Sequence, residues 1–253
     1  MKTSLPTDLA SVERAMPVSD ILSLLRQEYG DPPARPYREP LSELVLTVLS
    51  QHTSDANSDR AFESLMAQFG NWEAVAEGDV EDIAGAIKMG GLARVKAPRI
   101  KEILRIVRER CGGFDLSFLK DLPTDEARAW LLSLPGVGPK TAACVLLFSL
   151  GRPALPVDTH IYRVARRLGL IGAKTSPDQA HEVLESLVAP EEVYPFHMYL
   201  ITHGRRICKA PRPLCHLCVL NQGCPSAFLE SVPPRENKKR RADDGSSNRQ
   251  GGD

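Results

Sequence analysis

An all-α fold is predicted by three features of the sequence. Apolar residues recur at helical spacing through most of the chain, helix-starting residues precede those runs, and no stretch alternates convincingly with the period of two that a strand requires. The clearest stripe is Ile100, Ile103, Leu104 and Val107, spaced i, i+3, i+4 and i+7. Its opposite face carries Arg99, Lys101, Arg105, Arg108 and Arg110, interrupted by Glu102 and Glu109.

In chain order, the first helix is predicted over 19–27, from a Ser19-Asp20 cap through Ile21, Leu22, Leu24 and Leu25. The second spans 40–50, with Pro40 at the first helical position, where its missing N–H costs nothing. Helices follow at 55–68, 79–88, 96–110 and 125–133, then at 139–149, 159–168, 176–187 and 195–207. Beyond Pro225 the apolar pattern fades, and 229–253 reads as a disordered, charged tail. Its Lys238-Lys239-Arg240-Arg241 run is a solvated segment by default, with weak attraction to a polyanion or a nuclear address as alternatives.

The 253 residues, 42% hydrophobic and 25% charged, suffice for one large or two modest cores and exclude collagen, coiled coil or disorder throughout. The longest apolar run, Ala142–Phe148, falls far short of the ~18 residues of a membrane span. Residues 1–17 lack a charged region followed by an apolar one, which points to an intracellular protein. The formal net charge of +0 conceals an asymmetry: residues 1–90 carry −8, residues 91–224 carry +7, and the remainder +1. The middle block has a basic bias that a polyanion could use.

Three local patterns carry chemistry. Leu134-Pro135-Gly136-Val137-Gly138-Pro139-Lys140-Thr141 lies between two helical segments, and its glycines let backbone amides face outward at a helix start, a natural phosphate seat. This is the pattern of a helix-hairpin-helix, an element that grips a DNA backbone. The following helix, Ala142–Phe148, is apolar all round and so predicted to be interior. Lys140 at its first turn is a candidate amine nucleophile, with a snorkelling side chain or a phosphate contact as the bland readings. Asp158, before Thr159-His160-Ile161, is a helix N-cap whose amide donors also keep a carboxylate ionised, as an oxocarbenium-like sugar requires. Finally, Cys208, Cys215, Cys218 and Cys224 are close enough in sequence to hold either tetrahedral zinc or an iron–sulfur cluster. His216 within that loop is predicted to face solvent, and Cys111 and Cys144 to be small buried hydrophobes.

These motifs in this order resemble the endonuclease III family of helix-hairpin-helix DNA glycosylases. The resemblance rests on Leu134–Ala142, Val157–Val164 and the cysteine quartet, supported by Leu49–Asp55 and Gly91-Leu92, and covers roughly residues 18 to 225. It implies two helical domains flanking a DNA groove: a six-helix barrel with the hairpin over 33–152, and a cluster domain from 1–32 and 153–228. It further implies a [4Fe-4S] cluster on the four cysteines, Lys140 as Schiff-base nucleophile and Asp158 as catalytic aspartate. Gly136 and Gly138 would contact the DNA backbone, Leu92 would wedge into the duplex, and Gln51 or His52 would fill the space of the extruded nucleotide. His52 replaces the family's usual glutamine and Ala93 its usual tyrosine, so base preference is the least determined property.

The implied activity is removal of damaged bases, oxidised pyrimidines first among them, from duplex DNA, followed by β-elimination at the abasic site. A monomer, nucleoid-associated if prokaryotic, is expected. The alternatives are a monofunctional adenine- or mismatch-type glycosylase, which Lys140 disfavours, and a non-catalytic DNA-binding protein, which retention of both Lys140 and Asp158 disfavours.

Overall fold

The computed structural model describes residues 16–35 and 37–229, so the expectations for the charged tail lie outside the described residues, Leu229 apart. Eleven α-helices and no strand occur among the described residues. They are α1 (Val18–Tyr29), α2 (Pro40–Ser50), α3 (Asp55–Phe69), α4 (Trp72–Glu77), α5 (Val80–Ala86) and α6 (Ala93–Cys111). α7 (Thr124–Leu132), α8 (Pro139–Cys144), α9 (Thr159–Arg167), α10 (Pro177–Leu187) and α11 (Val193–Arg206) complete the series.

Two apolar cores organise these helices. Side chains of α2–α8 form the first, with Leu41, Leu44, Val48, Ile100, Ile103 and Leu104 fully buried. Each such side chain contributes about 1.5–3 kcal/mol by leaving water. The second joins Ile21, Leu22 and Leu25 of α1 to α9, α10 and α11 and to Leu220 near the cysteines. Between them, the chain after α8 forms a π-helical turn over Val145–Ser149. Val145 and Leu146 enter the first core and Leu147 the second, so this turn straddles both.

Four elements differ from the sequence reading. Ser19 and Asp20 do not cap α1; Pro17, at φ −54°, precedes a helix that already includes them. Helix α4 was not predicted, although Asn71 caps it by accepting from the Ala74 amide at 2.8 Å. Helix α6 starts at Ala93 rather than 96 and holds Pro98 in its second turn. Both Arg94 and Pro98 are exposed, so the carbonyl deprived of a partner can turn to water. The helix expected over 139–149 is α-helical only to Cys144.

Candidate active site

The segment leading to Asp158 is extended and buried from Ala154 to Val157. Its backbone groups are met by side chains of the second core. His181 donates from Nδ1 to the Leu155 carbonyl at 2.8 Å, and His197 from Nδ1 to the Pro156 carbonyl at 3.0 Å. A carbonyl only accepts, which fixes the proton on Nδ1 in both. Burial lowers the proton affinity of both rings, that of His197 to a pKa of about 4. Glu185 accepts from the Leu155 amide at 2.7 Å and from Arg128 of α7 at 2.9 Å, which ties the two cores together.

This segment delivers Asp158 to the start of α9, where its carboxylate accepts from the Ile161 amide at 2.8 Å. Lys140 occupies the first turn of α8, after Gly138 and Pro139 in the cap and N1 places predicted for them. Unlike the apolar helix behind it, Lys140 is only half-buried, and its Nζ lies 3.5 Å from Ser50 Oγ at the end of α2. Asp158 and Lys140 line one open pocket of about 700 Å³, together with Gln51, His52, Tyr162 and Arg205. Behind Lys140, burial raises the proton affinity of the Glu43 carboxyl, opposed by Arg38, the Thr47 hydroxyl and Lys140.

Leu92, Gly136 and Gly138 stand outside that pocket. Leu92 caps α6 in a left-handed conformation (φ 52°) with 54% of its surface exposed. Gly136 takes φ +71° at the hairpin, and a Cβ there would run into the Arg99 guanidinium. Gln51 is held between these parts: Arg99 donates to its Oε1 at 3.0 Å, and its Nε2 donates to the Gly136 carbonyl at 3.4 Å. His52 is exposed and left-handed (φ 56°), so it is the more freely presented of the two candidates. The sequence reading missed Ser50, Tyr162, Arg205 and Arg99 as site residues. Ser50 and Tyr162 lie in stretches already singled out, Leu49–Asp55 and Val157–Val164, as does Asp55, which pairs with Arg205 at 2.7 Å.

The four cysteines of the quartet line a second, smaller cavity at the end of the second core. Arg167 approaches Cys208 Sγ at 3.4 Å and donates to the Lys209 and Ala210 carbonyls, while His203 Nε2 lies 3.4 Å from Cys218 Sγ. Among the described residues no group of three or more His, Cys, Asp or Glu side chains is arranged to hold a metal ion. His216 is exposed, as expected. Of the remaining cysteines, Cys144 is buried but Cys111, at the end of α6, is only half-buried. Burial raises both thiol pKa values, that of Cys144 to about 11. No helix among the described residues is long and apolar enough to cross a membrane.

A hairpin between helices, followed by a lysine that shares a pocket with an aspartate, defines the class of helix-hairpin-helix base-excision proteins. The family model described as "HhH-GPD superfamily base excision DNA repair protein" matches residues 45–190, and the chain belongs to that superfamily. Within it the chain is a member of the endonuclease III family. It is 40% identical over 187 residues to endonuclease III of Thermotoga maritima, a match spanning 74% of this chain and 83% of the relative. The fold matches an endonuclease III in a non-covalent DNA complex with a TM-score of 0.72 and 28% identity, covering 83% of this chain and 94% of that one. It also matches a trapped endonuclease III–DNA covalent intermediate at TM-score 0.72 and 29% identity, with 83% and 95% covered.

Proposed function

We propose that the protein is a bifunctional DNA glycosylase and abasic-site lyase acting on damaged bases in duplex DNA, with oxidised pyrimidines as its principal class. The observation that carries this reading is the placement of Lys140 and Asp158, from different helices, on one pocket large enough for an extruded nucleotide. A relative of the same fold trapped covalently on DNA supports it.

The hairpin amides around Gly136 and Gly138 seat a phosphate, and Leu92 and His52 enter the duplex where the nucleotide leaves it. Lys140 Nζ attacks C1′ as the N-glycosidic bond breaks, and the departing base takes up a proton that this nitrogen releases on forming the new bond. Asp158, whose carboxylate accepts from the Ile161 amide, stabilises the positive charge that builds on the sugar. Loss of a proton from Lys140 Nζ and ring opening give an imine. That imine acidifies the 2′ position; removal of a 2′ proton then expels the 3′ phosphate and cuts the strand. Cys208, Cys215, Cys218 and Cys224 would hold a [4Fe-4S] cluster, supported by their common cavity and the Arg167 guanidinium beside Cys208. When bound, that cluster cross-links residues 208–224 and so fixes the fold behind the DNA face. In this reading the described residues fall into a barrel domain within 33–152 and a cluster domain from 16–32 and 153–228.

Borohydride reduction of the reaction on a damaged duplex should trap a covalent protein–DNA adduct. Lys140→Ala should abolish trapping, and Asp158→Asn should retain DNA binding while turnover falls by about 100-fold or more. Trapping by the Lys140→Ala protein, or undiminished turnover with Asp158→Asn, overturns the assignment.

A further inference from the structure

Two non-glycine residues on the DNA face, His52 and Leu92, sit in the left-handed region, which an L-residue occupies only at a cost and only where its surroundings enforce it. Hydrogen bonds to the chain just before each of them come from α6. Lys96 is almost wholly buried, at 2% exposure, yet its ammonium has no carboxylate partner among its hydrogen bonds. It donates to the Leu49 carbonyl at 2.6 Å and to the Gly90 carbonyl at 2.8 Å.

Leu49 lies in the last turn of α2, immediately before the turn bearing Gln51 and His52, and its carbonyl is among those a helix end leaves without an amide. Gly90 ends the 3₁₀ turn that leads into Leu92. One side chain therefore joins the roots of both protruding turns. Arg99, three residues further along α6, extends the connection through Gln51 to the hairpin carbonyl of Gly136. Burial lowers the Lys96 pKa, a further sign that the position is kept for its two acceptors and not for charge at the surface.

We propose that Lys96 is a positioning residue for base extrusion: through the Leu49 and Gly90 carbonyls it fixes the spacing between the His52 and Leu92 turns, so that both enter the duplex together. Arg99 sets the same pair in register with the hairpin. This rests on the glycosylase–lyase reading above. It separates the two chemical steps, because an abasic nucleotide has no base to unpair or unstack, whereas a damaged nucleotide in a pair must be forced out.

The test compares Lys96→Met with the unaltered protein on two duplexes, one with a damaged pyrimidine opposite a purine and one with a preformed abasic site. Single-turnover rates are read together with the fluorescence of 2-aminopurine placed beside the lesion. Base excision and the fluorescence rise should fall by about 10- to 100-fold, as loosened positioning typically costs, while strand cleavage at the abasic site stays within about threefold. Equal loss on both duplexes, or loss on neither, overturns the proposal. Should Lys96→Met not fold, Lys96→Gln, which removes the charge and shortens the reach to the Leu49 and Gly90 carbonyls while keeping an N–H donor, decides on the same pair of substrates, with the same two outcomes overturning the proposal. Absence of product from the unaltered protein on both duplexes overturns the functional reading itself, and is distinct from either pattern.

Discussion

Cys208, Cys215, Cys218 and Cys224 come from a loop whose regular structure is two short 3₁₀ turns; Arg163 and Arg167 hold its start at Cys208–Ala210, and Asn221 donates to the Cys215 carbonyl at 3.1 Å. Arg163 donates to the Cys208 carbonyl at 2.9 Å, and Arg167 reaches both that residue's sulfur and the carbonyls after it. Guanidinium groups in that position offset the charge that four thiolates bring to a cluster. Protein isolated without oxidation should contain iron and acid-labile sulfide in equal amounts, and Cys218→Ser should lose both and melt at a lower temperature. Stoichiometric zinc, or melting unaffected by the substitution, would contradict the cluster. At this scale the sequence singled out Lys140, Asp158 and the quartet because each belongs to a short contiguous motif. It did not disclose Lys96, Arg99 or Ser50, whose partners lie 47, 48 and 90 residues away, since only the folded chain makes them neighbours.

The buried extended segment 154–157 behaves as an element in its own right, because Asp158 has no position without it. Its two histidine donors must stay neutral to be buried. In the unfolded chain each titrates near pH 6.5, whereas in the fold His197 titrates at about 4 and His181 also below its usual value. Between those limits the unfolded state binds more protons, so stability is full above about pH 6.5 and falls as pH drops toward 4. His197 alone can account for at most about 3 kcal/mol of that loss. Urea unfolding from pH 7 to pH 4.5 should show this decline, and His197→Asn, whose amide can donate in place of Nδ1 without titrating, should flatten it. An unchanged slope would mean that other groups set the acid limit. Helices with a clean apolar stripe were legible to within a few residues. The one-and-a-half turns of α4 and the π-helical turn were not, because six or five residues give periodicity too little length to register.

Across the whole molecule, the pocket shared by Lys140 and Asp158 is a consequence of two cores meeting. Lys140 is anchored by the first, Asp158 by the second, and Leu147 and the Arg128–Glu185 pair hold one against the other. The same view changes what the +7 of residues 91–224 can do. Arg105 is committed to Glu102 and Glu109, Arg108 to Glu77, Arg128 to Glu185, and Arg152 to the Lys120 and Leu122 carbonyls. Glu77 and, at Arg205, Asp55 come from the acidic first 90 residues and so draw on the basic excess itself, and the hairpin contributes amides, which carry no full charge. Since each phosphate neutralised by a cation releases about 0.9 counterion, affinity for a lesion duplex should fall with salt at a log–log slope of only about −2 to −4. Fluorescence anisotropy with catalytically silent Lys140→Ala protein, titrated at several salt concentrations, reads that slope directly. A slope steeper than about −6 would demand cations beyond those accounted for by the pocket and hairpin. Lys238-Lys239-Arg240-Arg241 would then be the group to neutralise, and the slope would flatten on their replacement by glutamine if they supply it.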